Sequence, residues 1–415
     1  MNLAEELKET LTFVLAGGQG SRLKPLTERR AKPAVPFGGA YRIIDFTLTN
    51  CIHSGLRRIY VLTQYRAYSL EEHLRLAWSF LPRRLAQFIA PRPPQHGGSS
   101  GWYRGTADAI NCNLPRMRAE QPRHVLVLSG DHIYKMDYGR MLEEHLETNA
   151  ACTIGAVEIP VEEAHRFGIL ETDASGRVTG FQEKPKENPA EIPGKPGRCL
   201  GSMGIYFFET QDLARNLEAD AQLREKSEHD FGKNILPKMV ADGAHVQAHA
   251  FVDPGRAAGE EPYWRDVGTI DSYFDANLDL CNVVPSFNLY DKSWPIYTLW
   301  HNDPPAKTAY NGEEDHRVDV TESLLCNGSI VSGSSIRRSI LSNRVYTGER
   351  AEIEECILMN GVTVGAGSKI RRAIVDKWVE VPDGTYIGYD REHDEARFTV
   401  TESGIVVVSS PEQFR

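Results

Sequence analysis

The C-terminal part of this 415-residue chain repeats at a fixed interval, and few folds tolerate that. Ile336, Ile353, Ile370 and Ile387 fall 17 residues apart, as do Ile340, Ile357 and Ile374, and Val345, Val362 and Val379. The charged pairs Arg337-Arg338, Glu354-Glu355 and Arg371-Arg372 keep the same step. Three aliphatic columns in one register are hard to obtain from an ordinary antiparallel sheet. Stacked coils produce them directly, because each coil buries its aliphatic residues on the next. Small residues at the turns (Gly333, Gly348, Gly365) fit the same picture. The spacing therefore predicts a parallel β-helix.

The N-terminal part follows another rule. Leu11 to Ala16, Arg58 to Thr63 and His124 to Ser129 are short apolar runs, each followed by polar turn chemistry, as buried parallel strands are. Helical spacing lies between them, as in Leu70, Leu74 and Ala77 within Ser69 to Trp78. This alternation predicts an α/β fold with a doubly wound, mostly parallel sheet, whose ligands sit at the carboxyl ends of the strands. Three Pro/Gly-rich stretches, Pro91 to Gly101, Pro185 to Gly197 and Asp253 to Pro262, read as lids or binding loops. A further stretch, Asp303 to Asp315, separates the halves. The expected organisation is a catalytic domain over 1–285, a linker over 286–315 and a β-helix over 316–415.

Bulk properties narrow the function classes. A net charge of −10 argues against a general nucleic-acid binder. No apolar run reaches the ~20 residues that span a bilayer, and Met1 to Thr10 is acidic and helix-like, unlike a signal peptide. The seven cysteines include no CxxC pair and read as reduced thiols. A cytoplasmic location is expected.

After the first strand comes AGGQGSRLKPLT, from Ala16 to Thr27. The third glycine of a GxGxxG fingerprint would fall at Leu23, and no GxxxxGK[ST] can be laid over the segment. What remains is a strand, a glycine-rich turn (Gly17, Gly18, Gly20) and a fork-shaped cation, Arg22, with Lys32 a short turn later. Glycines let backbone N–H groups approach phosphate oxygens, so the turn reads as a nucleotide-binding loop.

The combination of GGxGxRLxPLT with KPxxPxGG resembles the signature of the sugar-nucleotide pyrophosphorylases. The segments YRIIDF (41–46), WYRGTADA (102–109), SGDHIYKMD (129–137), FQEKP (181–185), GSMGIY (201–206) and YWRDVGT (263–269) resemble its ADP-glucose branch. The match runs in order over about the whole chain, and a left-handed β-helix belongs to that architecture. The resemblance implies transfer of the adenylyl group of ATP to glucose 1-phosphate, with Mg²⁺ and release of pyrophosphate, for α-glucan synthesis. It makes Asp131 and Asp266 metal ligands, with Asp131, Arg22 and Lys32 catalytic. It puts Lys184 on the sugar phosphate and Glu183 on the sugar hydroxyls. Tyr103, Gly168, Ser202 and Asp266 fall at its remaining sugar-site positions, and Gln64 and Trp102 at positions linked to coupling between effector and active sites. It further implies a homotetramer.

Control by metabolites is also implied, at basic residues near Arg29, Arg30 and Arg42. Arg29 and Pro36 depart from the enteric pattern, where a Lys and a His stand. Fructose 6-phosphate or pyruvate is therefore the expected activator, with AMP, ADP or phosphate as inhibitor. An ordinary alternative is a solvated basic turn at Arg29 and Arg30, with Arg42 paired to Asp45. Two other readings stay open. One is a pyrophosphorylase for another nucleotide and sugar, with acetyl transfer on the β-helix; the absence of His from Val331 to Asp390 counts against that second activity. The other is a silent regulatory subunit, against which Arg22, Lys32, Asp131, Lys184 and Asp266 are all present.

Overall fold

Leu11–Ala16 has no polar alternation because both of its faces are covered and it lies between two parallel neighbours. The structure, a computed structural model, describes residues 2–95, 101–257, 259–310 and 317–414. Parts of three stretches named above, 96–100, 258 and 311–316, lie outside the described residues. Contacts divide the chain into two units. One comprises Met1–Gly18, Thr47–Gly130 and Tyr134–Trp264; the other comprises Gln19–Phe46, Asp131–Ile133 and Arg265–Arg415.

The first unit is built on one sheet. Its strands are β1 (Leu11–Ala16), β2 (Arg58–Thr63), β3 (Phe88–Arg92), β4 (His124–Ser129), β5 (Cys152–Pro160), β6 (Gly168–Thr172), β7 (Val178–Glu183), β8 (Arg198–Glu209) and β9 (Val246–Ala250). They run in the order β7-β6-β8-β4-β1-β2-β3, and β5 joins β8 to β9. Strands β4, β1, β2 and β3 are parallel, as the apolar runs predict. The long β8 runs antiparallel to β4, β5 and β6, so the other side of the sheet is mixed. There β6 and β7 form a hairpin at Asp173 to Gly176. The Asp173 carboxylate closes the turn by accepting from Ser175 N at 2.8 Å and from its hydroxyl at 2.6 Å. Phe13, Tyr60, Val125, Val127, Ile154 and Phe208 fill the core. The helix Tyr138–Glu147 starts where Asp137 accepts from Gly139 N, and it buries Met141, Leu142 and His145.

In the second unit the 17-residue columns are columns in space. Ile336 pairs in parallel register with Ile353, Ile353 with Ile370, and Ile370 with Ile387. Ile340, Ile357 and Ile374 stack in the same way, and Val407 takes the next place. All of these, with Val345, Val362 and Val379, are buried. The charged columns lie outside and alternate in sign from coil to coil. Arg337 pairs with Glu354, while Glu355 takes Arg338 at 3.5 Å and Arg372 at 3.3 Å. Arg338, Glu355 and Arg372 have φ of 46°, 49° and 46°, so the corner they make is left-handed without glycine. Among the described residues no helix is long and apolar enough to cross a membrane.

Candidate active site

Three segments distant in sequence meet around one ammonium. Gly20 has φ +59°, and a Cβ there would stand 3.0 Å from the Cβ of Lys32, so this turn needs glycine twice over. Thr27 ties the turn by donating to Gly20 O at 2.8 Å. Tyr273 on the helix Ile270–Asp279 donates to Pro36 O at 2.6 Å, and Asn277 on the same helix accepts from Gly38 N at 2.9 Å. The helix is started by a capping box of Thr269 and Ser272. Lys32 is thereby held with its side chain only 7% exposed.

Its Nζ lies 3.0 Å from Asp131 Oδ2 and 2.7 Å from Asp266 Oδ1. Asp131 follows the strand His124–Ser129 by two residues, and Asp266 ends the strand Trp264–Asp266. The guanidinium of Arg22, largely exposed, reaches Asp266 Oδ2 at 3.7 Å. Burial by itself would lower the pKa of Lys32, but the charges of Asp131 and Asp266 outweigh it and hold the ammonium above its ordinary value. Burial would raise Asp266; Lys32 beside it brings the carboxyl below its ordinary range. At neutral pH the cluster is thus an ammonium between carboxylates.

Two members of this cluster were missed in the sequence. His132 Nε2 lies 3.5 Å from Asp131 Oδ1, and burial pushes its pKa down against the pull of that carboxylate. Gly268 is needed for room: a Cβ there would stand 2.9 and 3.0 Å from the Asp266 oxygens and 3.1 Å from Arg22. His132 adjoins Asp131 and Gly268 follows Asp266 by two residues, so residues singled out already were the available signal.

Other expected site residues form separate groups within the first unit. Glu183 and Gly168 are register partners, and Lys184 Nζ lies 3.3 Å from Glu183 Oε1. Lys184 has φ 48° immediately before Pro185, a left-handed conformation that a lysine adopts only at a cost of ~1–3 kcal/mol. Gly232 packs under Glu183, a neighbour the sequence did not disclose: a Cβ there would come within 2.8 Å of Glu183 Oε2. The Ser202 hydroxyl is 3.4 Å from that of Tyr206. Gln64 clasps the backbone of Tyr103, accepting from its N–H at 2.6 Å and donating to its carbonyl at 3.4 Å, and Trp102 beside it is exposed. Trp102 and Tyr103 line a cleft of about 690 Å³. A Cβ at Gly17 would stand 3.0 Å from Gln64 Cβ, whereas one at Gly18 would meet nothing within 4 Å.

The basic residues divide. Arg29 is exposed, as a solvated turn predicts. Arg30 is not solvated: its guanidinium is buried and meets Asp376 bidentately, Nη1 to Oδ1 at 2.8 Å and Nη2 to Oδ2 at 3.0 Å. Arg42 donates its backbone N–H to Asp45 Oδ2 at 2.8 Å.

The sequence model of the nucleotidyl transferase family matches residues 11–283, and one described as GlmU-like, C-terminal hexapeptide matches residues 304–408. The first covers most of the chain and defines the class, a nucleotidyl transferase carrying a hexapeptide-repeat β-helix. Curated relatives are more particular. Glucose-1-phosphate adenylyltransferase of Nitrosomonas europaea is 47% identical over 97% of this chain and 93% of its own length. Glucose-1-phosphate adenylyltransferase 2 of Vibrio cholerae is 48% identical over 98% of this chain and 99% of its own. The enzyme of that name from Koribacter versatilis is 48% identical over 97% and 95%. The chain belongs to the nucleotidyl transferase family, in the branch of the glucose-1-phosphate adenylyltransferases.

Proposed function

We propose that this chain transfers the adenylyl group of ATP to glucose 1-phosphate, giving ADP-glucose and pyrophosphate for α-glucan synthesis. The observation that carries the reading is the Lys32–Asp131–Asp266 cluster, with Arg22 at its edge, in a chain of this family. An oxygen of the sugar phosphate attacks the α-phosphorus of ATP. That oxygen is already ionised at neutral pH, so the site needs no general base. Catalysis is then alignment and charge neutralisation. Arg22 and the N–H groups of Gly17, Gly18 and Gly20 face the triphosphate in this reading. Gly18 supports it, since packing within the protein does not require glycine there.

Nucleotidyl transferases generally use a divalent metal. The donor set here suits a hard one such as Mg²⁺: Asp131 and Asp266 bring carboxylate oxygens within 4.8 Å of each other, both part-exposed. Those two residues would hold the ion, which supplies charge neutralisation on the phosphates. Lys32, fixed between the same carboxylates, keeps them oriented and contributes a cation of its own. Lys184 takes the phosphate of glucose 1-phosphate and Glu183 the sugar hydroxyls, with Tyr103, Gly168, Ser202 and Asp266 completing the sugar contacts. Residues 1–285 carry the catalysis in this reading, and 316–415 the assembly of a cytoplasmic homotetramer. Arg29, Arg30 and Arg42 respond to fructose 6-phosphate or pyruvate and to AMP, ADP or phosphate, with Gln64 and Trp102 as couplers.

A pyrophosphate-release assay over a panel of nucleotides and sugar phosphates tests the substrates. ATP with glucose 1-phosphate should exceed every other pair in kcat/KM. Preference for UTP, or for an N-acetylated sugar phosphate, would refute the assignment.

A further inference from the structure

A second group of metal-ligating side chains lies in the first unit, at the other end of the strand that leads to Asp131. His124 opens β4, Glu209 closes β8, and the two are register partners. His145 reaches the same point from the helix Tyr138–Glu147. Glu209 Oε1 is 2.9 Å from His124 Nδ1 and 3.4 Å from His145 Nε2, and the three ligand atoms lie within 4.8 Å of one another. The imidazoles are buried, 4% and 0% exposed, while Glu209 is 43% exposed and opens the group to solvent.

The outer ring nitrogens are anchored. His124 Nε2 is 3.2 Å from Glu6 Oε2, and His145 Nδ1 is 2.8 Å from the Thr153 hydroxyl. Glu6 is itself held by Arg123 at 2.6 Å. Glu6 and Glu209 both only accept, so a neutral His124 can donate to one of them. The contact at Nδ1 is the poorly aligned one, so the hydrogen goes to Nε2 and Glu6, and the Nδ1 lone pair faces Glu209. The Thr153 hydroxyl can accept from His145 Nδ1–H, which turns a second lone pair the same way. Neither inner nitrogen is aligned for a hydrogen bond. Two lone pairs and a carboxylate oxygen converging at these distances repel one another unless a positive species lies among them. An outer carboxylate on a histidine is also the arrangement that orients metal-bound imidazoles.

We propose that His124 Nδ1, His145 Nε2 and Glu209 form a binding site for a divalent cation of the zinc class. Two imidazoles with one carboxylate suit Zn²⁺ or Co²⁺, in contrast to the carboxylate pair Asp131 and Asp266, which suits Mg²⁺. The site's role is structural. It ties the helix Tyr138–Glu147 to β4 and β8, and solvent reaches the ion through Glu209 as a further ligand.

The test uses the full-length protein, stripped with a chelator and returned to millimolar Mg²⁺. Zn²⁺ alone is then titrated by calorimetry, and Co²⁺ is followed by its visible absorption. The wild type should bind one equivalent of Zn²⁺, give the intense spectrum of low-coordinate Co²⁺, and unfold at a higher temperature when loaded. Glu209→Gln, at the exposed edge, keeps the size of the side chain and should weaken Zn²⁺ binding by well over 10-fold. His145→Gln should abolish the Co²⁺ spectrum, and the outer-partner change Glu6→Gln should cost roughly 10–100-fold in affinity. Adenylyl transfer with Mg²⁺ should stay within a few-fold in Glu209→Gln. The proposal is overturned if the wild type binds no Zn²⁺ in excess Mg²⁺, or if Glu209→Gln binds it as the wild type does.

Discussion

Replacing Arg30 should destabilise the protein far more than replacing its neighbour Arg29. The Arg30 and Asp376 side chains are only 10% and 7% exposed and share a bidentate contact at 2.8 and 3.0 Å. An exposed pair is worth ~0–1 kcal/mol. Removing one partner of a buried pair costs ~3–5 kcal/mol, because the other charge is left in the interior. Lys377 N–H, 2.7 Å from Asp376 Oδ1, offsets only part of that. Arg30→Met keeps the apolar stem, so that the change reports the charge rather than a cavity. With a urea slope of about 2–3 kcal/mol/M, the apparent unfolding midpoint should fall by about 1–2 M. Arg29→Met should lie within ~0.5 kcal/mol of wild type. The double variant Arg30→Met/Asp376→Leu should recover most of the loss, since two apolar residues leave no stranded charge. An Arg30→Met protein that unfolds together with Arg29→Met would refute the buried-pair argument.

This pair bears on regulation as well. Read from sequence alone, Arg30→Ala is expected to keep the unactivated rate and lose much of the effector response. An effector phosphate would have to displace Asp376 from Arg30, so its binding competes with a contact made in this structure. Arg29, exposed, carries no such competition. Measuring the activator response of Arg29→Ala beside that of Arg30→Ala separates an effector contact from a loosened scaffold.

Three further outcomes follow from the site and the repeat. Asp131→Asn should fold normally and lose turnover by orders of magnitude; a steady-state rate within a few-fold of wild type would remove Asp131 from the mechanism. Lys184→Ala should raise the KM for glucose 1-phosphate by roughly 10–150-fold, the worth of a charge-assisted phosphate contact, and leave that for ATP nearly unchanged. Equal effects on both substrates would make its role structural. Truncation after Asn302 should abolish the regulated oligomer in size-exclusion and activator assays, and a tetrameric, activator-responsive truncation would end the assembly role proposed for the β-helix.

What could be read from the sequence was what local rules encode. Ile336, Ile353 and Ile370 are in register in space because a coil of constant length leaves them no other place. Asp131 and Asp266 were legible because strand ends and flanking motifs mark them. The partners of Lys32 were legible as a set, but not the 2.7 Å contact that joins it to a residue 234 positions away. His124, His145 and Glu209 carry no spacing signature at all, since a strand start, a helix face and a strand end bring them together. A basic turn likewise reads the same whether water or a buried acid receives its charge. For Arg30 the sequence did hold a clue, in the repeat rather than in the turn. Stepping back 17 residues from Asp376 reaches Met359 and then Ser342, both buried, with backbone N–H groups bonded to the next coil in the same way as that of Asp376. An aspartate in a column otherwise filled by buried, uncharged side chains must find a cation or be destabilising. The break in the period, more than the basic turn itself, was the place to look for the partner of Arg30.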